Sequence, residues 1–497
     1  MSLTMPAPEA AILENRDRLI RRLRAILPEE SVIAEEVAMR AYECDALTMY
    51  RQLPLVVALP ETVPQVQEIM ALAAEMNVKV VPRGAGTSLS GGAMPLGDGI
   101  LLAMGKFNRI LEIDYENRCA RVQPGVANLA ISDAVAARGF YYAPDPSSQI
   151  ACSIGGNVGE NSGGVHCLKY GLTTNNILGL EIVLMGGDIV RLGGKHLDSE
   201  GYDLMGLMTG SEGLLGVITE VTVRLLPKPE TARGLLLAFP TVEAGAGCVA
   251  DIIAAGIVPG GLEMMDGPAI RAAEDFQPCG YPTDAASLLI CELDGEASEV
   301  DHLVERVSAM ARDAGATTVR ASGSEEERLG FWAGRKNSFP AVGAIGPDYL
   351  CMDGTIPRGR LAEVLAGITE LAGKHGLRVA NVFHAGDGNL HPLILYDANR
   401  PGDIEKAEAF GADILKLCVA VGGVLTGEHG VGVEKRDLMG AMFTQADLDQ
   451  QQRVKCAFDP EHRLNPGKVF PTLRRCAELG RMHVRGGALP FPDLPRF

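Results

Sequence analysis

The sequence predicts an α+β protein with two domains. Up to residue 228, short apolar strands alternate with helices and glycine-rich turns, and after Pro227-Lys228-Pro229 strand patterns alternate with long helical patterns. A chain of 497 residues has room for two or three domains. We therefore expect a helical segment over 1–50, a first domain over 51–228, a second over 229–455 and a closing segment over 456–497.

The elements follow from hydrophobic spacing and punctuation. Residues 10–27 alternate apolar side chains with acids and arginines, which predicts an amphipathic helix and not a signal peptide. Thr62 and Pro64 mark a helix start, and residues 78–81 form a strand that runs into a glycine-rich turn. In the second half, strand patterns near 235–239, 288–293, 379–383 and 393–396 alternate with helical patterns. This predicts an antiparallel sheet with helices on one face.

Composition excludes several classes of protein. The net charge of −18 makes a nucleic-acid binder improbable, since such proteins present a basic face to phosphates. No apolar run approaches the roughly 18–20 residues of a transmembrane segment. The eleven cysteines are scattered without a C-x-x-C pair, which argues against an iron–sulfur cluster held by this chain and indicates reduced thiols in the cytoplasm.

Glycine is the main departure from average composition, with 59 residues in 497, and some of these glycines cluster in three blocks. The first block is Pro82-Arg83-Gly84-Ala85-Gly86-Thr87-Ser88-Leu89-Ser90-Gly91-Gly92. Backbone N–H groups in such a loop can meet phosphate oxygens, with hydroxyls adding donors. A single loop of this kind also occurs without a ligand, but three in one half of the chain favour one. Leu89 stands where a Rossmann turn needs its third glycine, and no Walker A motif is present.

The blocks resemble the flavin-binding segments of the vanillyl-alcohol-oxidase-type flavoproteins. The second runs from Pro144-Asp145-Pro146-Ser147 through Ser153-Ile154-Gly155-Gly156-Asn157 to Asn161-Ser162-Gly163-Gly164 and Lys169-Tyr170-Gly171, and the third is Gly213-Leu214-Leu215-Gly216-Val217-Ile218-Thr219. The chain from about residue 40 onward is most similar to the FAD-linked subunits of bacterial glycolate oxidases, relatives of D-lactate and D-2-hydroxyglutarate dehydrogenases. The resemblance implies a two-domain fold with an FAD-binding domain over 51–228 and a ferredoxin-like α+β cap over 229–455.

The resemblance also implies FAD and the residues that bind it. Some members hold FAD covalently through a histidine in the first loop, and the absence of histidine between Pro82 and Gly92 implies non-covalent FAD. Asn465 lies in a closing segment that implies a return of the chain to the flavin. The implied cofactor-binding residues are Pro82, Arg83, Gly84, Ala85, Gly86, Thr87, Ser88, Gly91, Gly92, Pro144, Asp145, Ser148, Ser153, Gly155, Gly156, Asn157, Asn161, Ser162, Gly163, Tyr170, Gly213, Gly216, Val217, Ile218 and Asn465.

A second group of residues indicates a metal site. His384 and His391 flank a glycine turn, and Glu428 and His429 are adjacent between glycines. Two imidazoles and a carboxylate suit Zn²⁺, Mn²⁺ or Fe²⁺. A lone buried histidine is more often a hydrogen-bonded core residue, but this grouping favours a ligand set. The residues alone do not separate a metal hydrolase from an oxidase, although H-E-x-x-H is absent.

The resemblance assigns roles to this group. His384, His391 and Glu428 match the family's metal ligands, His429 matches its catalytic base, and Asn389 lies where the family has a polar residue near the substrate. The implied reaction is oxidation of a 2-hydroxy acid to the 2-oxo acid, with the hydroxyl proton passing to His429 and hydride to flavin N5.

Arg335 matches the arginine that binds the substrate carboxylate in the family, where a guanidinium can make two parallel hydrogen bonds. Taken alone, it would be a surface residue of an amphipathic helix. Hydroxyglutarate-type relatives carry a second cation near the position of Cys351. The cysteine favours a short acid, glycolate or D-lactate, over the alternative of D-2-hydroxyglutarate.

The resemblance further implies an iron–sulfur partner subunit that takes the electrons, and through it a peripheral place at the inner membrane. Quinone is another acceptor that the resemblance leaves open. Two rival functions remain: a redox-silent FAD-binding protein, and a metal hydrolase with glycine-rich loops. The tail over 471–497 carries Arg474, Arg475, Arg481 and Arg485, and is either a docking arm or a solvated end.

Overall fold

The computed structural model describes residues 5–197 and 201–471. Its first sheet has four strands in the order β1-β2-β4-β3, of which β2, β4 and β3 are parallel and β1 is antiparallel. The strands are β1 Val32–Ile33, β2 Val56–Ala58, β3 Lys79–Arg83 and β4 Gly99–Ala103. The helices around it are α1 Ala10–Glu14, α2 Arg16–Ile26, α3 Glu36–Met39 and α4 Val63–Met76.

Local sequence signals predict the start of α4 but not the division between α1 and α2. Helix α4 begins where Thr62 predicts it, and Thr62 and Gln65 form a reciprocal capping box. The single helix expected over 10–27 is instead two helices, α1 and α2, that meet at Asn15. Their apolar faces, including Leu19 and Leu23, are buried in the same core as the first sheet. The N-terminal segment therefore packs against the first sheet.

The second sheet is antiparallel throughout, in the order β5-β6-β10-β8-β9. Its strands, with the small β7–β11 pair, are β5 Ile110–Asp114, β6 Cys119–Val122, β7 Phe140–Tyr141, β8 Ile177–Val183, β9 Ile189–Gly193, β10 Val217–Arg224 and β11 Leu226–Pro227. The helices of this region are α5 Asn128–Val135, α6 Ile154–Glu160, α7 Cys167–Tyr170, α8 Thr173–Asn176 and α9 Leu204–Met208.

The third sheet has seven antiparallel strands in the order β15-β12-β14-β13-β18-β20-β16. The strands, with the small β17–β19 pair, are β12 Thr231–Phe239, β13 Gly261–Asp266, β14 Ser287–Gly295, β15 Thr318–Ala321, β16 Asp348–Cys351, β17 Gly354–Thr355, β18 Arg378–Phe383, β19 Asn389–Leu390 and β20 Pro392–Tyr396. The helices are α10 Val242–Ala254, α11 Gly267–Phe276, α12 Ala297–Asp313, α13 Glu325–Lys336, α14 Ser338–Ile345, α15 Leu361–His375, α16 Asp403–Ala420, α17 Met439–Met442 and α18 Gln445–Phe458.

The expectation of helices on one face of this sheet is wrong. Leu235 and Leu237 of β12 belong to a core that includes residues of α10, α12 and α15, whereas Leu236 and Ala238 belong to a core that includes residues of α11, α13 and α14. A sheet covered on both faces is built from continuous apolar runs, because neither set of alternating side chains meets water. The run over 234–239 is such a pattern, and all of it is buried.

The closing segment returns to the first sheet. The N–H of Val80 in β3 donates to the carbonyl of Arg463, and the N–H of Asn465 donates to the carbonyl of Val80, both at 2.8 Å. This pairing places the segment beside the strand that leads into the first glycine-rich loop. The basic tail with Arg474, Arg475, Arg481 and Arg485 lies outside the described residues. Within the described ranges, no helix combines the length and apolar character that crossing a bilayer requires.

Candidate active site

A cavity of about 410 Å³ lies where the glycine-rich blocks meet the histidine loops. Gly84, Gly156 and Gly213 each bring one of the three blocks to its wall. The wall also contains His391, Glu428, His429, Lys336, Phe339 and Pro340. Segments that are far apart in the chain therefore enclose one space.

The first two blocks approach each other at backbone distance. A Cβ at Gly84 would overlap the hydroxyl of Ser153, and Gly86 has a φ of +73° with the side chain of Arg83 folded against it. Arg83 is held there because its Nη1 donates to the carbonyl of Cys44 at 2.7 Å. Glycine at these positions keeps the wall of the cavity free of side chains, as a cradle for a large cofactor requires.

The two histidines and the glutamate predicted as metal ligands come together. Strand β18 ends just before His384 and β20 begins just after His391, so one tight turn presents both rings. Nε2 of His384 lies 3.3 Å from Oε1 of Glu428, and Nε2 of His391 lies 3.1 Å from the same oxygen. One ligand atom from each of the three residues falls within 4.8 Å of the others. This donor set fits a divalent transition metal.

Glu263 orients the first of these ligands. It is fully buried on β13, next to β18, and its Oε1 lies 2.6 Å from Nδ1 of His384. Burial alone would raise the pKa of Glu263, but the opposing effects of His384 and Arg335 lower it. A carboxylate on Nδ1 leaves Nε2 free for a metal, the arrangement that metal-binding histidines commonly have.

Asp353 fixes the loop that carries Glu428 and His429. Its buried carboxylate accepts hydrogen bonds from the backbone N–H groups of Glu428 at 3.2 Å and His429 at 2.9 Å, and from the hydroxyl of Thr426 at 2.6 Å. Burial opposes its charge, but His429 and Lys435 lower the pKa of Asp353 to about 2. A fixed negative charge therefore sets the position of the loop.

A second set of three potential ligands, Cys351, His391 and His429, also meets the distance condition. Burial, with Asp353 nearby, raises the pKa of the Cys351 thiol well above its usual value. A thiol binds metal as the thiolate, so a raised pKa disfavours this set. The chemistry favours His384, His391 and Glu428.

His429 lies beside the ligand set with its ring stacked on His391, at 5.0 Å between centroids and 9° between planes. Its Nδ1 is buried and has no hydrogen-bond partner among the described residues. Burial lowers the pKa of His429 to about 4, so the imidazole is neutral near pH 7. A neutral ring in this position can accept a proton.

Arg335 is only 2% exposed and does not line the large cavity. Its Nε and Nη2 lie 2.9 and 2.7 Å from Oε2 of Glu263, which links it to His384 through one carboxylate. The next residue, Lys336, lines the cavity wall itself. The structure thus places Arg335, the residue predicted to bind the substrate carboxylate, behind the cavity wall and next in the chain to a wall residue.

Comparison with known proteins identifies the family. A family model described as an FAD binding domain matches residues 54–193, and one described as the C-terminal domain of FAD linked oxidases matches residues 228–469. The chain is 58% identical to glycolate oxidase subunit GlcD of Escherichia coli K12, over 97% of each chain. The protein belongs to the FAD-linked oxidase family. It is 40% identical to GlcD of Bacillus subtilis over 86% of this chain and 92% of that one.

Solved structures confirm the predicted α+β fold of the vanillyl-alcohol-oxidase type. A 4-ethylphenol oxidase from Gulosibacter chungangensis superposes with a TM-score of 0.77 at 19% identity, covering 94% of this chain and 99% of that one. A p-cresol methylhydroxylase gives 0.74 at 17% identity, covering 93% and 98%. At these identities the likeness concerns the fold alone.

This FAD-linked oxidase is therefore an oxidoreductase with FAD as its cofactor, and most residues predicted to bind FAD line the large cavity. Those on its wall are Pro82, Arg83, Gly84, Ala85, Gly86, Thr87, Ser88, Gly92, Ser148, Ser153, Gly155, Gly156, Asn157, Ser162, Gly213, Gly216, Val217 and Ile218. Their placement on the wall supports the predicted contacts with FAD.

Seven predicted cofactor residues lie off the wall: Gly91, Pro144, Asp145, Asn161, Gly163, Tyr170 and Asn465. Asp145 contacts His166, and Tyr170 donates to Asp294. The N–H of Gly163 donates to Oε2 of Glu428 at 3.1 Å. The side chain of Asn465 donates to the carbonyl of Glu212 at 2.7 Å, so it supports the wall from behind. Direct contact of these residues with FAD stays a prediction.

Three carboxylates of the FAD-linked oxidase site were not predicted from the sequence. Besides Glu263 and Asp353, Glu212 accepts hydrogen bonds from the N–H groups of Val431 and Gly432, each at 2.7 Å. It ties the third glycine-rich block to the loop that follows His429. One signal was available: Glu263 lies between apolar residues in the interior of β13, and acids are seldom buried without a partner.

Proposed function

We propose that this protein is the FAD-linked subunit of a glycolate-oxidase-type enzyme, and that it oxidises glycolate or D-lactate to the 2-oxo acid. The observation that carries the proposal is the position of His429, on the wall shared with the glycine-rich blocks and stacked on a predicted metal ligand. Relatives named glycolate oxidase subunit GlcD and D-lactate dehydrogenase support the substrate class; the D-lactate dehydrogenase of Archaeoglobus fulgidus is 34% identical over 84% of this chain and 92% of that one.

His429 accepts the proton of the substrate hydroxyl. Its buried ring has an unpartnered nitrogen, and the hydrogen bond from its backbone N–H to Asp353 fixes the residue without using the ring. The stacked contact with His391 limits rotation of the imidazole. The chain therefore presents an oriented acceptor for the proton.

Arg335 and Asn389 position the acid. Nε of Arg335 donates to Glu263, whereas the buried Nη2 makes no hydrogen bond among the described residues although it lies 2.7 Å from Oε2 of Glu263, so Nη2 is the guanidinium nitrogen that we assign to a substrate carboxylate. Asn389 is 6% exposed, and its side-chain oxygen has no partner among the described residues. A short acid would satisfy both groups and offset the cost of burying them unpaired.

FAD is held non-covalently by the three glycine-rich blocks, and His384, His391 and Glu428 hold a divalent metal, Zn, Mn or Fe. When bound, FAD supplies a two-electron acceptor, and the metal supplies a Lewis acid that makes the hydroxyl more acidic. The FAD domain over 51–228 and the cap over 229–455 then share the site, with the closing segment over 456–471 supporting the FAD side.

The electrons pass to an iron–sulfur partner subunit or to quinone. GlcD is by name a subunit of an oxidase. The eleven cysteines of this chain form no C-x-x-C pair, so we assign the cluster to a partner chain. A cytoplasmic location, peripheral at the inner membrane through that partner, is part of the same proposal.

The visible spectrum of the purified protein tests the proposal. We expect flavin bands that bleach when glycolate or D-lactate is added without oxygen. Absence of flavin, even after FAD is added, would favour a metal hydrolase. Flavin bands that are bleached by none of glycolate, D-lactate and D-2-hydroxyglutarate would indicate a redox-silent FAD protein. Bleaching by D-2-hydroxyglutarate alone would indicate the alternative dehydrogenase.

A further inference from the structure

A second cavity, of about 360 Å³, reaches the predicted metal ligands from another side. Its wall contains two carboxylates, Asp387 and Glu428, and one guanidinium, that of Arg358. The remaining wall residues include His384, Asn389, Thr355 and residues of the 163–175 region. We call this space the vestibule. Of the residues on its wall, Glu428 alone also lines the large cavity, so the two spaces meet the ligand set separately.

The vestibule contains two buried polar atoms without a partner among the described residues, Oδ1 of Asn389 and Oγ1 of Thr355. The two residues are directly opposite in the β17–β19 ladder. Side chains opposite each other in an antiparallel pair project from the same face about 5 Å apart. Buried polar atoms are costly to leave unpaired, and a small acid that carries a hydroxyl would remove that cost, because its carboxylate accepts from Thr355 and its hydroxyl donates to Asn389.

The guanidinium of Arg358, which lines the vestibule, has no ion-pair partner among the described residues. Arg358 is exposed, and its hydrogen bond to the carbonyl of Gly386, at 3.4 Å, is weak. No carboxylate of the described residues lies within 4.0 Å of its guanidinium, whereas nearby Arg360 is paired with Glu363 at 2.5 Å. In a protein with a net charge of −18, such a cation is a local attraction for anions.

We propose that the vestibule binds small carboxylates, and that the 2-hydroxy acid enters and the 2-oxo acid leaves through it, guided by Arg358. This inference rests on the proposed function. In the proposed function FAD occupies the large cavity, and the vestibule is an opening with a different wall through which small acids can reach the ligand set. The hydroxyl of Thr355 would donate to the carboxylate between the opening and His384, and Oδ1 of Asn389 would accept a hydrogen bond from the hydroxyl of the 2-hydroxy acid.

Binding of glyoxylate to the oxidised holoprotein, measured by calorimetry, tests the vestibule directly. We expect Arg358→Gln and Thr355→Val each to raise the Kd by about fivefold, since each removes one charge-assisted or hydroxyl contact. Arg360→Gln is the matched control, because it removes the same charge two residues away from a paired position. Equal Kd values in the wild type, Arg358→Gln and Thr355→Val would overturn the proposal, as would no binding of glyoxylate.

Steady-state kinetics give a second readout. In Arg358→Gln, kcat/KM for glycolate should fall about fivefold and lose most of its dependence on ionic strength, with kcat little changed, because steering by a charge is screened by salt. Arg360→Gln should retain that dependence. If neither glycolate nor D-lactate bleaches the wild-type flavin, the proposed function fails, while glyoxylate binding still decides whether the vestibule takes carboxylates.

Discussion

Oε1 of Glu263 lies 2.6 Å from Nδ1 of His384, and the other oxygen of the same carboxylate lies 2.9 Å from Nε of Arg335. One buried carboxylate thus joins the predicted metal ligand to the predicted substrate arginine. The two functions assigned to these residues are therefore mechanically coupled, and a change at Glu263 should affect both.

Glu263→Gln should weaken metal binding by about 10- to 100-fold, the usual effect of losing a partner that orients a histidine ligand. The amide keeps the size of the side chain, but it has one neutral acceptor oxygen where the carboxylate has two charged acceptor oxygens. The metal content of dialysed protein and a competition titration with a chelator measure the effect. Glu305→Gln, on the exposed face of α12, is the control, and equal affinities would remove Glu263 from the metal site.

Asp353→Asn should destabilise the loop with Glu428 and His429. Lys435 is fully buried with its Nζ 3.4 Å from Oδ2 of Asp353, so the variant leaves a buried cation with less compensation. Losing one partner of a buried pair costs about 3 kcal/mol or more. Urea denaturation should show this loss together with reduced metal content. A variant with wild-type stability would contradict the role given to Asp353.

Arg335→Lys should raise KM for glycolate about tenfold with a smaller change in kcat, because an ammonium cannot contact Glu263 and a substrate carboxylate in one plane. Steady-state kinetics over a range of glycolate concentrations give both constants. Arg320→Lys, at an exposed arginine paired with Glu327, controls for a general effect of the substitution. An unchanged KM would remove Arg335 from substrate binding.

The sequence predicted the glycine-rich blocks and the candidate metal ligands, but not the buried carboxylates that hold those residues in place. The glycine-rich blocks and the pairs His384–His391 and Glu428–His429 are short, contiguous motifs, so their residue types and spacing are visible directly. Glu263, Asp353 and Glu212 act on residues 70 or more positions away, through the β13–β18 pairing and through loops. Such contacts depend on strand order, which local pattern does not determine.

A similar limit applies to the fold. The capping residue Thr62 determined where α4 begins, whereas the helices on both faces of the third sheet depend on packing between distant segments. Asp145 and Tyr170 show the same effect within a motif. They lie in the second glycine-rich block, yet their side chains contact His166 and Asp294, at a boundary with the third sheet.

The stability of the contacts at that boundary should depend on pH. His166 lies 2.7 Å from Asp145 and 3.1 Å from Glu292, with Arg328, Lys169 and Asp294 nearby. Burial opposes charge on both His166 and Glu292, but Asp145 and then Glu292 raise the pKa of His166 well above its usual value, and His166 with Arg328 lowers the pKa of Glu292 to about 2. The contribution of Glu292 to the stability of the folded protein is present above about pH 4.5 and is lost towards pH 2. The contribution of His166 is complete below about pH 6.5 and is lost as the pH rises through the raised pKa of His166.

His166→Gln should therefore lower Tm most near pH 5–6.5, by roughly 3 °C for about 1 kcal/mol, and less at high pH. Thermal denaturation across this pH range measures the difference from the wild type. His302→Gln, at an exposed position of α12, is the control. A difference that does not change with pH would show that the ionic contacts of His166 do not stabilise this boundary.

The most direct test of the account is rapid mixing in the absence of oxygen. The wild-type protein and the His429→Ala variant are each mixed with glycolate and, in separate experiments, with D-lactate. We predict that both proteins contain FAD and metal, that at least one acid bleaches the wild-type flavin, and that bleaching is at least about 100-fold slower in His429→Ala, because proton transfer to a positioned base contributes that much or more. Bleaching of the variant at the wild-type rate would contradict the assignment of His429 as the base.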